Sequence, residues 1–129
     1  MLYIPKKYSQ KNFELAVPKV KYYSVVYDGW FDLLFELNST LKKTFRNYKV
    51  ESYKEKFGSL RFHAYYGNNM FEDDNSEYFN SIISEYELKS TKICEFSGNV
   101  GRIRKLPGSS WLKCISDEVY EELDAARHI

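Results

Sequence analysis

The sequence predicts an α+β domain: an antiparallel sheet centred on a hairpin at residues 48–66, packed on helices at about 29–46, 75–89 and 117–127. Three observations carry that expectation. Apolar residues recur at spacings of three and four in separate stretches, which is the period of a helix with one buried face. Apolar and polar residues alternate on either side of Gly58-Ser59, which is the period of a strand. At 129 residues the chain has the size of one domain, 1–129, large enough to bury a core without disulfides or metals as staples.

The elements follow in order. Residues 1–19 contain Pro5 and Pro18 among scattered lysines and read as an irregular N-terminal arm. Val20 to Tyr27, β-branched and aromatic, reads as a strand or as extended chain along a sheet edge. Asp28-Gly29 stops it. Trp30, Leu33, Leu34, Leu37, Leu41, Phe45 and Tyr48 then mark one face of the first helix, and Asp32, Glu36, Lys42, Lys43 and Arg46 mark its solvated face. In the hairpin, Tyr48–Phe57 and Leu60–Tyr66 flank Gly58-Ser59, expected as a type II′ loop because Gly accepts the positive φ. Leu60, Phe62, Ala64 and Tyr66 should face inward, with Arg61, His63 and Tyr65 outward.

Gly67 to Asn75 is a polar, acidic loop, and Asp74 with Glu77 reads as a capping box. Phe79, Ile82, Ile83 and Tyr86 stripe the second helix. Lys92 to Gly108 reads as loop, Trp111 to Ile115 as a short strand, and Asp117 as the start of a last helix with Val119, Tyr120 and Leu123 inward.

The composition narrows the function. Twelve Tyr, nine Phe and two Trp give 18% aromatic residues, a class enriched both in strands and at recognition surfaces. The net charge is only +1, yet it is segregated. Residues 1–66 hold 12 Lys/Arg against 6 Asp/Glu; residues 67–91 hold 1 against 6; residues 92–113 hold 5 against 1; residues 114–129 hold 1 against 5. Local fields therefore exist on a near-neutral chain. Two cysteines are no secreted disulfide framework, the opening MLYIPKKYSQ lacks an apolar signal segment, and no run approaches a membrane span. The cytoplasm is the expected compartment, with no membrane partner.

Lys54-Glu55-Lys56-Phe57-Gly58-Ser59-Leu60-Arg61-Phe62, Cys94-Glu95-Phe96-Ser97-Gly98, Gly101, Trp111 and Cys114 stand in an order that resembles a family of small bacterial and phage-borne proteins. Those carry an early Gly-Trp, a K-E-K-F-G-x-L-R-F-Y hairpin, a helix, a Cys-x-x-Cys-Gly knuckle, a Trp and a Cys-x-x-His pair. The resemblance covers about Gly29 to Asp117. It implies a zinc-ribbon-like C-terminal third, here degenerate over residues 92–117. The ligand positions that carry over are Cys94, Ser97, Cys114 and Asp117. Two of the four are thus replaced, whereas structural zinc needs a closed set of Cys and His. Neither a metal nor another cofactor is expected.

No complete catalytic constellation is present. His63 and His128 are the only histidines, and phosphate loops, nucleophile elbows and His-x-x-x-His are absent. The expectation is a non-enzymatic protein-binding module. Its first form is an immunity protein that neutralises a cognate toxin, a nuclease above all. The resemblance implies this too, since such proteins occur in phage and polymorphic-toxin neighbourhoods. The acidic run Phe71, Glu72, Asp73, Asp74 and Glu77 is the expected partner-binding plug for a basic cleft. The alternative is a nucleic-acid-binding domain, with Arg102, Arg104 and Lys105 near Trp111, Lys42, Lys43 and Arg46 on the first helix, and Lys54, Lys56 and Arg61 on the hairpin supplying phosphate contacts.

Overall fold

A computed structural model describes residues 4–13, 19–67 and 76–128, and it is α+β. A short strand β1 (Gln10–Lys11) pairs antiparallel with β2 (Val26–Tyr27). A 3₁₀ turn at Asp28–Trp30 leads into α1 (Phe31–Thr44). The hairpin β3 (Lys49–Lys56) and β4 (Ser59–Tyr65) follows, then α2 (Ser76–Ser90). A second hairpin, β5 (Arg102–Lys105) and β6 (Leu112–Ile115), precedes α3 (Asp117–Arg127).

The helical periodicities translate directly into burial. Trp30, Leu33, Leu34, Leu37, Leu41, Phe45 and Tyr48 are all buried, as are Phe79, Ile82, Ile83 and Tyr86. These side chains join Val50, Tyr53, Leu60 and Phe62 in one core that the central hairpin, α1 and α2 enclose. A second core, of Cys94, Phe96, Leu106, Ile115, Val119 and Leu123, lies under α3. Tyr120 is half-buried against it. The N-cap of α3 is Ser116, whose Oγ accepts the Val119 N–H at 3.2 Å, and Asp117 is the first helical residue. Asp74 of the expected capping box lies outside the described residues.

Two expectations are corrected, and two take a definite form. The described strands form three separate two-stranded antiparallel sheets within the α+β arrangement. Of the two forms expected for Val20–Tyr27, most of the segment takes extended chain along a sheet edge. Val20 makes a parallel bridge to Val50, the Lys21 and Tyr22 N–H groups donate to Val50 and Glu51, and the Ser24 hydroxyl accepts the Tyr53 N–H at 2.9 Å. A side chain thus completes the β3 edge where backbone pairing stops, and pairing resumes only at Val26 with β1. Residues 102–105 are a strand rather than loop, because they find β6 as partner; the glycines on either side only bound it.

The turn between β3 and β4 is Phe57-Gly58, one residue earlier than Gly58-Ser59. Pairing Lys56 with Ser59 sets Tyr53 opposite Phe62 and Glu55 opposite Leu60, which turns the apolar side chains inward. The geometry is that of type I′, with positive φ at both turn residues, 54° at Phe57 and 86° at Gly58.

The free edge of β4 is closed by α2. Ser90 Oγ accepts the Leu60 N–H at 2.8 Å, and Glu87 Oε2 accepts the Phe62 N–H at 2.9 Å. Side chains of the helix thereby stand where a third strand would otherwise pair. The early Gly29-Trp30 docks on the loop at 93–98. The Trp30 indole N–H donates to the Ile93 carbonyl at 2.9 Å, and a Cβ at Gly29 would lie 2.3 Å from the Cys94 carbonyl oxygen. No side chain larger than hydrogen fits there.

Candidate binding surface at the hairpin tip

The turn that joins β3 to β4 reaches the second hairpin, where the Ile103 side chain packs on Gly58 and would lie 2.8 Å from a Cβ there. This contact brings together the two motif regions that the sequence separates. Phe57, beside it, is held in the left-handed region and is 65% exposed. A bulky side chain at positive φ is an outlier that costs of order 1–3 kcal/mol. The ring belongs to neither buried core. Across a cavity of about 740 Å³ stands Trp111, 62% exposed, and Leu112 lies beside it. The backbone of Trp111 is tied down: its N–H donates to Ser109 Oγ and its carbonyl accepts the Leu106 N–H, both at 2.9 Å.

The same cavity is lined by two members of a largely buried charge cluster, Glu55 and Lys113. Lys113 Nζ lies 2.9 Å from Glu95 Oε1 and 3.4 Å from Glu55 Oε1. Glu95 is 1% exposed, and its other oxygen accepts the Tyr27 N–H at 3.3 Å. The second oxygen of Glu55 accepts the Gly58 N–H at 2.8 Å, which braces the strained turn. Lys113 also lies over the Tyr27 and Phe96 rings, 5.2 and 5.8 Å from their centroids. Burial pushes the Glu95 carboxyl above its ordinary range, against the attraction of Lys113. For Lys113, burial acts to lower the pKa, but Glu95 and Glu55 outweigh it and hold the ammonium above its usual value.

The outer face of the first hairpin is cationic. Lys54 and Arg61 stand directly opposite one another across the two strands, and both are exposed. Like charges in that position destabilise a hairpin. Lys56 lies 5.7 Å from the Phe57 ring centroid. Among the described residues Lys54, Lys56, Arg61, Arg102 and Lys105 form no ion pair, whereas the acids next to the cavity, Glu55 and Glu95, are both taken by Lys113. Farther along the hairpin a polar cleft of about 630 Å³ holds Arg61 and His63 with Glu51 and Glu87.

The positions expected from the ribbon pattern do not converge on a metal. Cys94 and Cys114 are buried free thiols. Burial pushes the Cys114 thiol up to about 12, with the nearby Cys94 adding to the effect. Ser97 is exposed; its N–H donates to Cys94 Sγ at 3.3 Å, which keeps the turn of a knuckle. Asp117 pairs with Arg104 at 2.7 Å, and the same guanidinium donates to the Ile115 carbonyl at 3.0 Å. A side-chain cation thus engages the last of the four positions. Among the described residues no group of three or more His, Cys, Asp or Glu is arranged to hold a metal ion.

Of the acidic plug, Phe71, Glu72, Asp73 and Asp74 lie outside the described residues; Glu77 is exposed in the first turn of α2. The acids of α3 are largely engaged within the chain: Asp117 with Arg104, Glu122 with Lys7 and Tyr8, Asp124 with Arg127. Sequence reasoning missed Glu55, Glu95 and Lys113 altogether. Adjacent charged residues on alternating strands look like solvated faces, and only a fully buried Glu95 reveals otherwise.

No helix among the described residues is long and apolar enough to cross a membrane. Searches against protein-family models, curated proteins and solved structures give no match to the chain.

Proposed function

We propose that this chain is a non-enzymatic module that binds nucleic acid through the surface shared by the two hairpin regions. The observation that carries the reading is the pairing of a strained, exposed Phe57 with exposed Trp111, beside cations that form no ion pair among the described residues. Aromatic platforms beside unpaired Lys and Arg suit an anionic chain with flat bases. The Lys54–Arg61 juxtaposition supports the same reading, because an anion bridging both would convert a repulsion into an attraction.

Titration of fluorescently labelled mixed-sequence DNA across a salt series tests this. Binding in the micromolar range or tighter at low salt, weakening steeply as salt rises, is expected. Absence of binding at 50 mM salt would refute it.

A second reading is an immunity protein that blocks a cognate toxin. Phe57 and Trp111 also have the character of interface anchors, and exposed Glu77 belongs to the acidic run 71–77. Co-purification with the product of an adjacent gene, and its loss on charge reversal at Asp73 and Asp74, would favour that partner. Kinship with the bacterial and phage-borne family is supported by the docking of Gly29-Trp30 on the 93–98 loop, which gives the spacing of those motifs a structural reason.

A further inference from the structure

Resting on the nucleic-acid reading, we infer that the cavity between Phe57 and Trp111 receives an unpaired base, so that the preferred ligand is single-stranded. The cavity, about 740 Å³, is lined by the exposed Phe57, Trp111 and Leu112 and by the less exposed Tyr27, Glu55 and Lys113. An apolar lining with a few convergent polar groups is the usual form of a small-ligand site. A base in a duplex keeps both faces stacked and its pairing edge occupied, so it cannot enter. An unpaired base offers both π-faces to the rings.

The polar lining suits the edge of that base. Lys113 is a donor and Glu55 an acceptor, 3.4 Å apart. Each nucleobase carries a donor beside an acceptor on its pairing edge, so the pair accommodates any of them in one orientation or the other. Recognition should therefore be tolerant of sequence, as is usual where stacking dominates. The backbone phosphates would leave the cavity toward Lys56 and Lys54 on one side and Lys105 on the other, the strands that flank it. The strain at Phe57 then has a purpose. The left-handed turn projects the ring outward, where the inward-facing neighbours Tyr53 and Leu60 cannot absorb it into the core.

The test compares a labelled mixed-sequence 12-mer as single strand and as duplex, on the wild-type chain and on Phe57→Asn. Asn-Gly is the favoured pair for a type I′ turn, so this variant removes the ring without endangering the fold. The single strand should bind at least roughly tenfold tighter than the duplex, and Phe57→Asn should weaken single-strand binding roughly tenfold, as loss of one stacked base does, while leaving duplex binding nearly unchanged. Trp111→Ala should act in the same direction. Equal binding of both probes with no effect of Phe57→Asn would overturn base stacking while leaving the nucleic-acid reading intact. No binding of either probe would overturn both. A co-purifying protein that Phe57→Asn releases, from a chain that binds no DNA, would make the cavity a protein anchor and overturn the inference.

Discussion

At Phe57 stability and the proposed function pull apart most clearly. Its φ of 54° is a conformation that Asn accepts far more readily than an aromatic residue. Phe57→Asn is therefore expected to stabilise the fold by about 1 kcal/mol, read as a rise in the urea midpoint; a fall of that size would mean that the ring packs in a way that exposure does not reveal. Lys113 behaves oppositely. Its ammonium serves two carboxylates and is largely buried with them, Glu95 at 2.9 Å and Glu55 at 3.4 Å. Removing one partner of a buried ion pair leaves charge uncompensated, so Lys113→Met is expected to destabilise by roughly 3–5 kcal/mol. Adding Glu95→Gln should recover a large part of that loss, because the neutral amide no longer needs the ammonium. If the double variant is as unstable as the single, packing rather than charge accounts for Lys113.

Among the elements, α2 does more than bury a stripe. Its Ser90 and Glu87 close the β4 edge, and Ser90 is fully buried with its hydroxyl also donating to the Glu87 carbonyl at 2.5 Å. Ser90→Ala leaves the Leu60 N–H without an acceptor, and a cost of about 1–3 kcal/mol is expected. Hydrogen exchange at Leu60 should accelerate in the same variant; unchanged exchange would show that the edge is protected by other means. The helices themselves were legible in the chain. The period of Leu33, Leu34, Leu37 and Leu41 marks a face without reference to any partner, and α3 runs over the expected residues 117–127. The strands were less legible. The Phe57-Gly58 turn was displaced by one because glycine draws attention to itself, whereas the register is chosen by which residues must face the core. The strand at Arg102–Lys105 carries no apolar alternation strong enough to mark it, and it exists because β6 pairs with it.

For the chain taken together, several groups hold their protons more tightly when folded. Burial raises the hydroxyls of Tyr48, Tyr27 and Tyr8 and brings the Cys114 thiol to about 12, while the ammonium of Lys113 is raised by its carboxylate partners in spite of burial. For each, the folded pKa exceeds the unfolded one. Its contribution is complete below the unfolded value and is lost as pH rises toward the folded value. Apart from Glu95, whose raised carboxyl acts in the acid range, the lowest unfolded value is the ordinary thiol near 9.0. Stability should therefore decline steadily from about pH 9 upward, and Cys114→Ala should shallow the slope. A urea midpoint that stays level to pH 11 would contradict this assignment.

The amino-acid order alone determined the helices, the first hairpin and the apolar faces that they bury, since each depends on neighbours within a few residues. It also identified the cations of the first hairpin and of residues 102–105, whose strands meet where Ile103 packs on Gly58. The cavity between Phe57 and Trp111, the Glu55–Lys113–Glu95 cluster and the engagement of Asp117 by Arg104 came only with the folded chain. Each joins residues from different strands or loops. Burial converts an ordinary-looking Lys or Glu into a committed ion pair only after the chain has closed around it, and no local period records that event.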